Sequence, residues 1–501
     1  METAAPYSLS RASCRLRRKL EARAAFLAAA DAGAAPYSVP APRASETLAT
    51  LAYQGLAAAD LREERYRARL ERELEVIAGL DGALPFLFAF DVGRYARQLG
   101  IPLGPGRGTS PGSLVCYALG ITDVDPLTYG LSFERFLNPR GNRCPELTIE
   151  VCARRRDELL AQLLCNRYAP GQVAVAAAPA DRAHSLLCQA GEDMSELWPL
   201  RERLLLLHSG RRLEEVLTSD AAFRALASEK RFAPTVARAL ERERSLGIFD
   251  DPWLGCTLVF GARPLPTIER EPGGWPALAV DGDQAKMLGW FTLLCAPVAA
   301  LTALGPLRGA APAEPDDETL RLFAAGSVDE VSPYADGLTP IEDSPAVRLL
   351  RQLQPRHFED LAAVMALCRP GVQEIASQYV DRRHGREQVT YRHPALAPVL
   401  AATEGLPLYQ EQIMGMAETV AGVDPAEADL LRRALVKRRP DELARWEATF
   451  LDRVGARGFD AALAKAIFED MRAFACYTVS RSHAVAQARL GLEVAWMRAH
   501  A

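Results

Sequence analysis

An α+β fold, mostly helical, is predicted by three observations. Apolar residues recur at helical spacing among charged ones along most of the chain. Short apolar runs set off by Gly and Pro are confined to two stretches, 83–165 and 253–300, which read as strand-bearing. The bulk composition, 501 residues with 49% hydrophobic and 25% charged, is that of a globular protein of two to four domains. It excludes a disordered chain, a collagen and a coiled-coil rod.

In chain order, residues 1–44 are a basic, Ala-rich tail carrying Arg11, Arg15, Arg17, Arg18, Lys19, Arg23 and Arg43, with no continuous apolar stretch of the secretory kind. Three prolines in 36–42 read as a linker. Leu48, Leu51, Leu56, Leu61, Leu70 and Leu74 mark amphipathic helices over 45–80. Residues 166–245 read as mostly helical. Leu258-Val259-Phe260 and Ala277-Leu278-Ala279-Val280 read as strands, with Asp281-Gly282-Asp283 as a solvated turn between strands. Pro306, Pro312 and Pro315 mark a boundary, and 319–500 is again helical. The domains so outlined are 1–44, 45–165, 166–248, 249–300 and 301–501.

Charge and cysteines bound the chemistry. Lys+Arg is 59 against 64 Asp+Glu, a formal net charge of -5, so a whole-chain basic signal for nucleic acid is missing and only local patches can serve. The ten cysteines contain no C-x-x-C pair, which points to reduced thiols in a cytoplasmic protein rather than to disulfides or a zinc site. No apolar run reaches the length of a membrane span.

The most informative stretch is Gly104-Pro105-Gly106-Arg107-Gly108-Thr109-Ser110-Pro111-Gly112-Ser113. Its glycines admit backbone angles closed to other residues. Ser110-Pro111 reads as an N-cap with proline at the first helical position, and Leu114–Leu119 as a helix ending at Gly120. A loop feeding a helix N-terminus can hold a phosphate, and Arg107 can add charge. It fits neither a Walker A loop nor Gly-x-Gly-x-x-Gly spacing. A tight turn with no ligand fits the same residues.

Five blocks, in order, resemble the bacterial family C replicative DNA polymerases, the alpha subunits of DNA polymerase III. The first runs from Gly104 through Ile121-Thr122-Asp123-Val124-Asp125-Pro126-Leu127 to Phe133-Glu134-Arg135-Phe136-Leu137-Asn138-Pro139. The second is Leu353-Gln354-Pro355 with Phe358-Glu359-Asp360 and Arg369-Pro370-Gly371. The third is Asp381 to Glu387 with Leu408-Tyr409-Gln410-Glu411-Gln412. The fourth is Ala428-Asp429-Leu430-Leu431-Arg432-Arg433-Ala434, and the fifth Ser482-His483-Ala484 with Ala495-Trp496. The resemblance covers roughly residues 36–500. It implies a nucleotidyltransferase-type, polymerase-beta-like palm with an inserted helical thumb and an incomplete helical fingers domain. It sets this chain apart as a truncated, divergent member, without the family's N-terminal PHP domain and its later helix-hairpin-helix, clamp-binding and OB-type parts.

The same resemblance assigns roles. Polymerase chemistry places two Mg²⁺ ions about 3.5–4 Å apart between carboxylates. The family's alternating acids fall here on Pro145–Val151, with Glu146, Thr148 and Glu150 sharing one face. Glu146 is the implied metal ligand, Glu146 and Glu150 the remaining catalytic acids, and Thr148 stands where a carboxylate is lost. Glu146 and Glu150 are about 13 Å apart along an extended strand, too far to share one metal pair comfortably. The family's third carboxylate precedes a run matched by Leu288-Gly289-Trp290-Phe291, and no Asp or Glu lies between Asp283 and Glu314. Gly106, Arg107, Gly108, Thr109 and Ser113 are the implied triphosphate ligands. Arg432, Arg433, Lys437, Arg438, Arg439 and His483 are the implied contacts to DNA or triphosphate. Mg²⁺ is expected if the chain is active and no cofactor otherwise. Expected partners are primer-template DNA, deoxynucleoside triphosphates and replication or repair proteins, with no membrane. Three readings follow: an active DNA-directed polymerase, a catalytically silent DNA-binding relative, and an interaction protein that no longer binds DNA.

Overall fold

A computed structural model describes residues 41–141, 145–169, 171–177, 187, 199–200, 203, 213–245, 256–261, 265, 276–305, 308–328, 332–333, 344–369, 372–437, 440–457 and 459–500. The chain is mostly helical around one small mixed sheet, the α+β class expected. The tail up to residue 40 and part of the proposed insertion lie outside the described residues.

Helices Ala41–Ala58, Glu64–Gly79 and Ala83–Gln98 come first. Leu48, Leu56 and Leu70 are buried, and Leu51, Leu61 and Leu74 pack at the margin of the same core, as the helical spacing requires. The sheet has strands β1 (Leu147–Cys152), β2 (Val173–Ala177), β3 (Cys256–Phe260), β4 (Ala277–Asp281) and β5 (Phe291–Val298), in the order β1-β5-β3-β2-β4. β1 runs parallel to β5, pairing Leu147 with Leu293 and Thr148 with Leu294. β5 and β3 are antiparallel, β3 and β2 antiparallel, and β2 and β4 parallel. Leu147, Ile149 and Val151 are buried in the core they share with the first three helices.

Three expectations are corrected. Val173–Ala177 is a strand inside the stretch read as helical, and it joins the sheet through β3 and β4. Its Ala content reads as helix, but the alternating Val positions suit a ladder once partners are present. Asp281-Gly282-Asp283 is not a turn between strands, because β4 passes directly into helix Gly282–Met287. Finally, Ser110-Pro111-Gly112 is a separate 3-10 turn, and helix Leu114–Ala118 is capped by Ser113, whose oxygen accepts from Cys116 N–H.

The C-terminal half is helical. One core joins helices Pro345–Leu353, Phe358–Leu367 and Arg481–Ala499, and another joins Gln410–Ala421, Pro425–Lys437, Pro440–Ala456 and Ala461–Phe474. Among the described residues no single helix is long and apolar enough to cross a membrane.

Buried acids tie these parts together. Glu73 is fully buried in the second helix and accepts from Leu114 N–H (2.9 Å), Val115 N–H (3.1 Å), Ser113 Oγ (2.8 Å) and Arg69 (2.6 Å). Burial pushes its carboxyl above the usual range, while Arg69 and the helix amides pull it down. Glu73→Ala leaves these donors without an acceptor and should cost about 3 kcal/mol or more, read as a lowered urea midpoint.

Candidate functional site

The start of the glycine-rich loop runs antiparallel beside the edge strand β1: Leu103 bridges to Val151, and Gly104 N–H donates to the Glu150 carbonyl at 2.9 Å. A Cβ on Gly104 would land on the Glu150 carboxylate, so only glycine lets that side chain in. Gly106 adopts φ +117, where a side chain is strained and would also press on Thr122 and Pro111.

The amides expected to face a phosphate face protein. Gly106 N–H donates to Glu150 Oε2 at 3.3 Å, and its carbonyl accepts from Gln487 Nε2 at 3.4 Å. Gly108 N–H donates to His483 Nδ1 at 3.3 Å, and its carbonyl accepts from Ser482 Oγ at 2.9 Å. His483 therefore holds the loop as a neutral ring. Burial, then Arg107 and Arg369, push its pKa down to about 4. Arg107 is exposed and Thr109 half-buried beside it. Ser113, expected on the phosphate, is buried, with its oxygen committed to Glu73 and Cys116.

Glu146, just before β1, and Thr148 and Glu150 within it follow one another at the period-2 spacing, yet their environments differ. The Glu146 side chain is 65% exposed, and its Oε1 lies 3.1 Å from Lys286 Nζ. Thr148 is half-buried. Glu150 is buried, and its Oε1 accepts from Gln487 Nε2 at 3.0 Å. Burial pushes the Glu150 carboxyl above its usual range, while Gln487, Arg107, the Gly106 amide and Arg308 pull it down. Leu288-Gly289 lies in the turn before β5. Extending the β1–β5 register by one residue sets Thr292, which is buried, against Glu146. A hydroxyl thus stands in the register position beside the first acid.

These donors do not fit the Mg²⁺ pair that the resemblance implies. Magnesium takes near-octahedral oxygen ligands and is held by carboxylates. Glu146 is engaged by an ammonium, Thr148 and Thr292 are neutral, and Glu150 is committed to two protein donors. Among the described residues no cluster of three His, Cys, Asp or Glu could hold a metal ion.

Of the implied cations, Arg432 and Arg433 turn toward Asp429. Arg432 is buried and bonds Asp429 Oδ1 (2.8 Å), and Arg433 pairs with Oδ2 (2.7 Å). Asn138 donates to the same carboxylate (3.1 Å) and to the Ala426 carbonyl (2.8 Å). Arg135 donates to Gln410 Oε1 at 2.5 Å, and burial beside Arg432 lowers its pKa to about 10. Lys437 is exposed at the helix end. Arg438 and Arg439 lie outside the described residues. Sequence reading missed Lys286 and Gln487. Lys286 stands in the acid-free stretch with no motif around it, and Gln487 lies one helical turn beyond His483, on the side that meets the loop.

Comparison with known proteins agrees with the blocks that carry the resemblance. Residues 46–185 match the family described as "Bacterial DNA polymerase III alpha NTPase domain", and residues 311–458 match "Bacterial DNA polymerase III alpha subunit finger domain". The chain is 31% identical over 520 residues to DNA polymerase III subunit alpha of Aquifex aeolicus, covering 93% of this chain and 44% of that protein. It is 30% identical over 470 residues to the same subunit of Escherichia coli K12, covering 88% and 40%. With the subunit of Thermus aquaticus it shares 31% over 463 residues, covering 85% and 36%. The chain thus spans less than half the length of these relatives.

Two outcomes follow from the loop contacts. Because the folded pKa of His483 lies near 4, below the ordinary 6.5, the unfolded chain binds the extra proton between these values. Its contribution to stability is present above pH 6.5 and is lost as pH falls toward 4. His483→Gln should flatten the acid limb of a melting-temperature profile in that window. Gly104→Ala should displace the Glu150 carboxylate and lower the melting temperature, since the added Cβ has no room.

Proposed function

The chain belongs to the bacterial DNA polymerase III alpha-subunit family, and from that premise we propose that it is a palm, thumb and fingers-type core that binds primed DNA without nucleotidyl transfer. In this reading the sheet is the palm, the insertion after β2 the thumb, and the helices after residue 311 the fingers. It serves a replication or repair assembly of the bacterial cytoplasm and makes contact with other proteins there.

The observation that carries the proposal is the state of the acids on β1. The first is neutralised by Lys286, the second position is a threonine, and Glu150 holds the loop in place rather than a ligand. Preorganised groups of this kind each contribute roughly 10²–10³ in rate, so losing two leaves little transition-state stabilisation. The family likeness over both ends of the chain supports retention of a DNA-binding frame. Arg107 on the loop and Lys437 at the end of the Pro425–Lys437 helix are exposed cations suited to backbone phosphates. A deoxynucleoside triphosphate would meet Arg107 and Thr109, since the glycine amides and Ser113 are already engaged.

Primer extension and DNA binding measured on one preparation test this. No Mg²⁺-dependent incorporation above background is expected, together with saturable binding of primed duplex that weakens with salt. Robust incorporation lost in Glu146→Ala overturns the silent reading. Replacing Arg107 and Lys437 by Ala should lower the slope of log affinity against log salt by about one unit per cation. An unchanged slope removes those two residues from the DNA contact.

A further inference from the structure

The ion pair between Glu146 and Lys286 is delivered by the fold from two separate directions. Glu146 immediately precedes β1, whereas Lys286 lies in the helix that connects β4 to β5. That helix is anchored by Ala285, which is fully buried, and it starts close against the sheet. A Cβ on Gly282 would lie 3.1 Å from Thr257 Cγ2. Thr257 pairs with Leu294, and Leu294 with Thr148, so one row of residues across β3, β5 and β1 connects the helix start to the face where Glu146 stands.

The charge pattern on that face follows. Lys286 carries the cation at 3.1 Å from the Glu146 oxygen. An ammonium has three donors and no lone pair, so it answers a carboxylate and cannot join it in ligating a metal. Arg107, exposed on the adjoining loop, adds a second positive charge, and that loop is tied to Glu146 by the Ser110 Oγ bond to the Glu146 carbonyl at 3.3 Å. Thr148 and Thr292 contribute hydroxyls, which carry no charge to balance a divalent ion. The pair is too exposed to matter much for stability. Its consequence is for what else can bind there.

We infer that the Lys286 ammonium takes the place of a divalent cation beside Glu146, so that this face takes up no Mg²⁺ and the chain holds primed DNA independently of divalent metal. The DNA half of this statement rests on the function proposed above. The metal half stands without it.

The metal half is tested on the protein alone, with Mn²⁺ as a spectroscopic substitute for Mg²⁺ and free Mn²⁺ followed by electron paramagnetic resonance. The wild type is expected to show no saturable site at millimolar Mn²⁺. Thr148→Asp restores a second carboxylate while Lys286 remains. Adding Lys286→Met to it should tighten Mn²⁺ binding at least about tenfold, because the competing charge is gone while the side-chain volume is kept. Circular dichroism melts identify variants that fold. A folded double variant that binds Mn²⁺ no better than Thr148→Asp alone overturns the inference. So does a saturable site in the wild type that disappears in Glu146→Gln.

The DNA half is tested by fluorescence anisotropy of a labelled primed duplex in EDTA and in Mg²⁺ at matched ionic strength. Binding in EDTA should be no weaker than in Mg²⁺. A loss of about tenfold or more in EDTA overturns metal independence. Absence of binding in both buffers overturns the proposed function instead, and the Mn²⁺ comparison still decides the role of Lys286.

Discussion

Taking the Glu150 carboxylate out of water constrains most of what surrounds it. A buried carboxylate without donors is strongly destabilising, and here the donors come from parts of the chain far apart in sequence. The Gly106 amide bends inward to one oxygen and the Gln487 amide reaches the other from helix Arg481–Ala499. The approach is possible because Gly104 lacks a Cβ and Gly106 can adopt a positive φ. Once Gln487 is docked, the first turn of its helix lies over Gly108, where His483 and Ser482 bind the amide and the carbonyl. One carboxylate therefore sets the loop's shape and the seating of the last helix on the sheet.

The same device recurs at other boundaries. Asp429 gathers Arg432, Arg433 and Asn138, and so joins the segment before β1 to helix Pro425–Lys437. Glu493 pairs with Arg308, which also reaches Asp123 and the Leu103 carbonyl. Apolar packing fills each core, but it is non-directional and leaves neighbouring parts free to slide. Buried charges with few partners fix their relative position, because any other arrangement strands a desolvated charge.

This arrangement separates ancestry from chemistry. The blocks that mark the family are largely those engaged in holding the parts together: Asn138 meets Asp429, Arg135 meets Gln410, and Ser482-His483 meets Gly108. They can persist while the acids that would hold metal change, since scaffold contacts and metal ligation are different demands on the sequence. At the exposed start of β1, Glu146 meets the Lys286 ammonium.

The sequence by itself determined the α+β class, the family and the helical character of 45–80, because an amphipathic helix prints its buried side at every turn; the helix Ala83–Gln98 falls in a stretch that read as strand-bearing. That a threonine, not an acid, stands at position 148 is likewise a matter of residue identity. Other features were decided only by the tertiary structure. Val173–Ala177 became a strand because β3 and β4 offered it partners. Ser113 became a cap because Glu73 lay beside it. Arg432 became part of the frame because Asp429 and Asn138 met it. Lys286 meets Glu146 because a short helix carries it there. Each of these depends on a partner distant in the chain, and the charge or bond a side chain finds there is set by the packing of whole elements, which no local pattern of residues encodes.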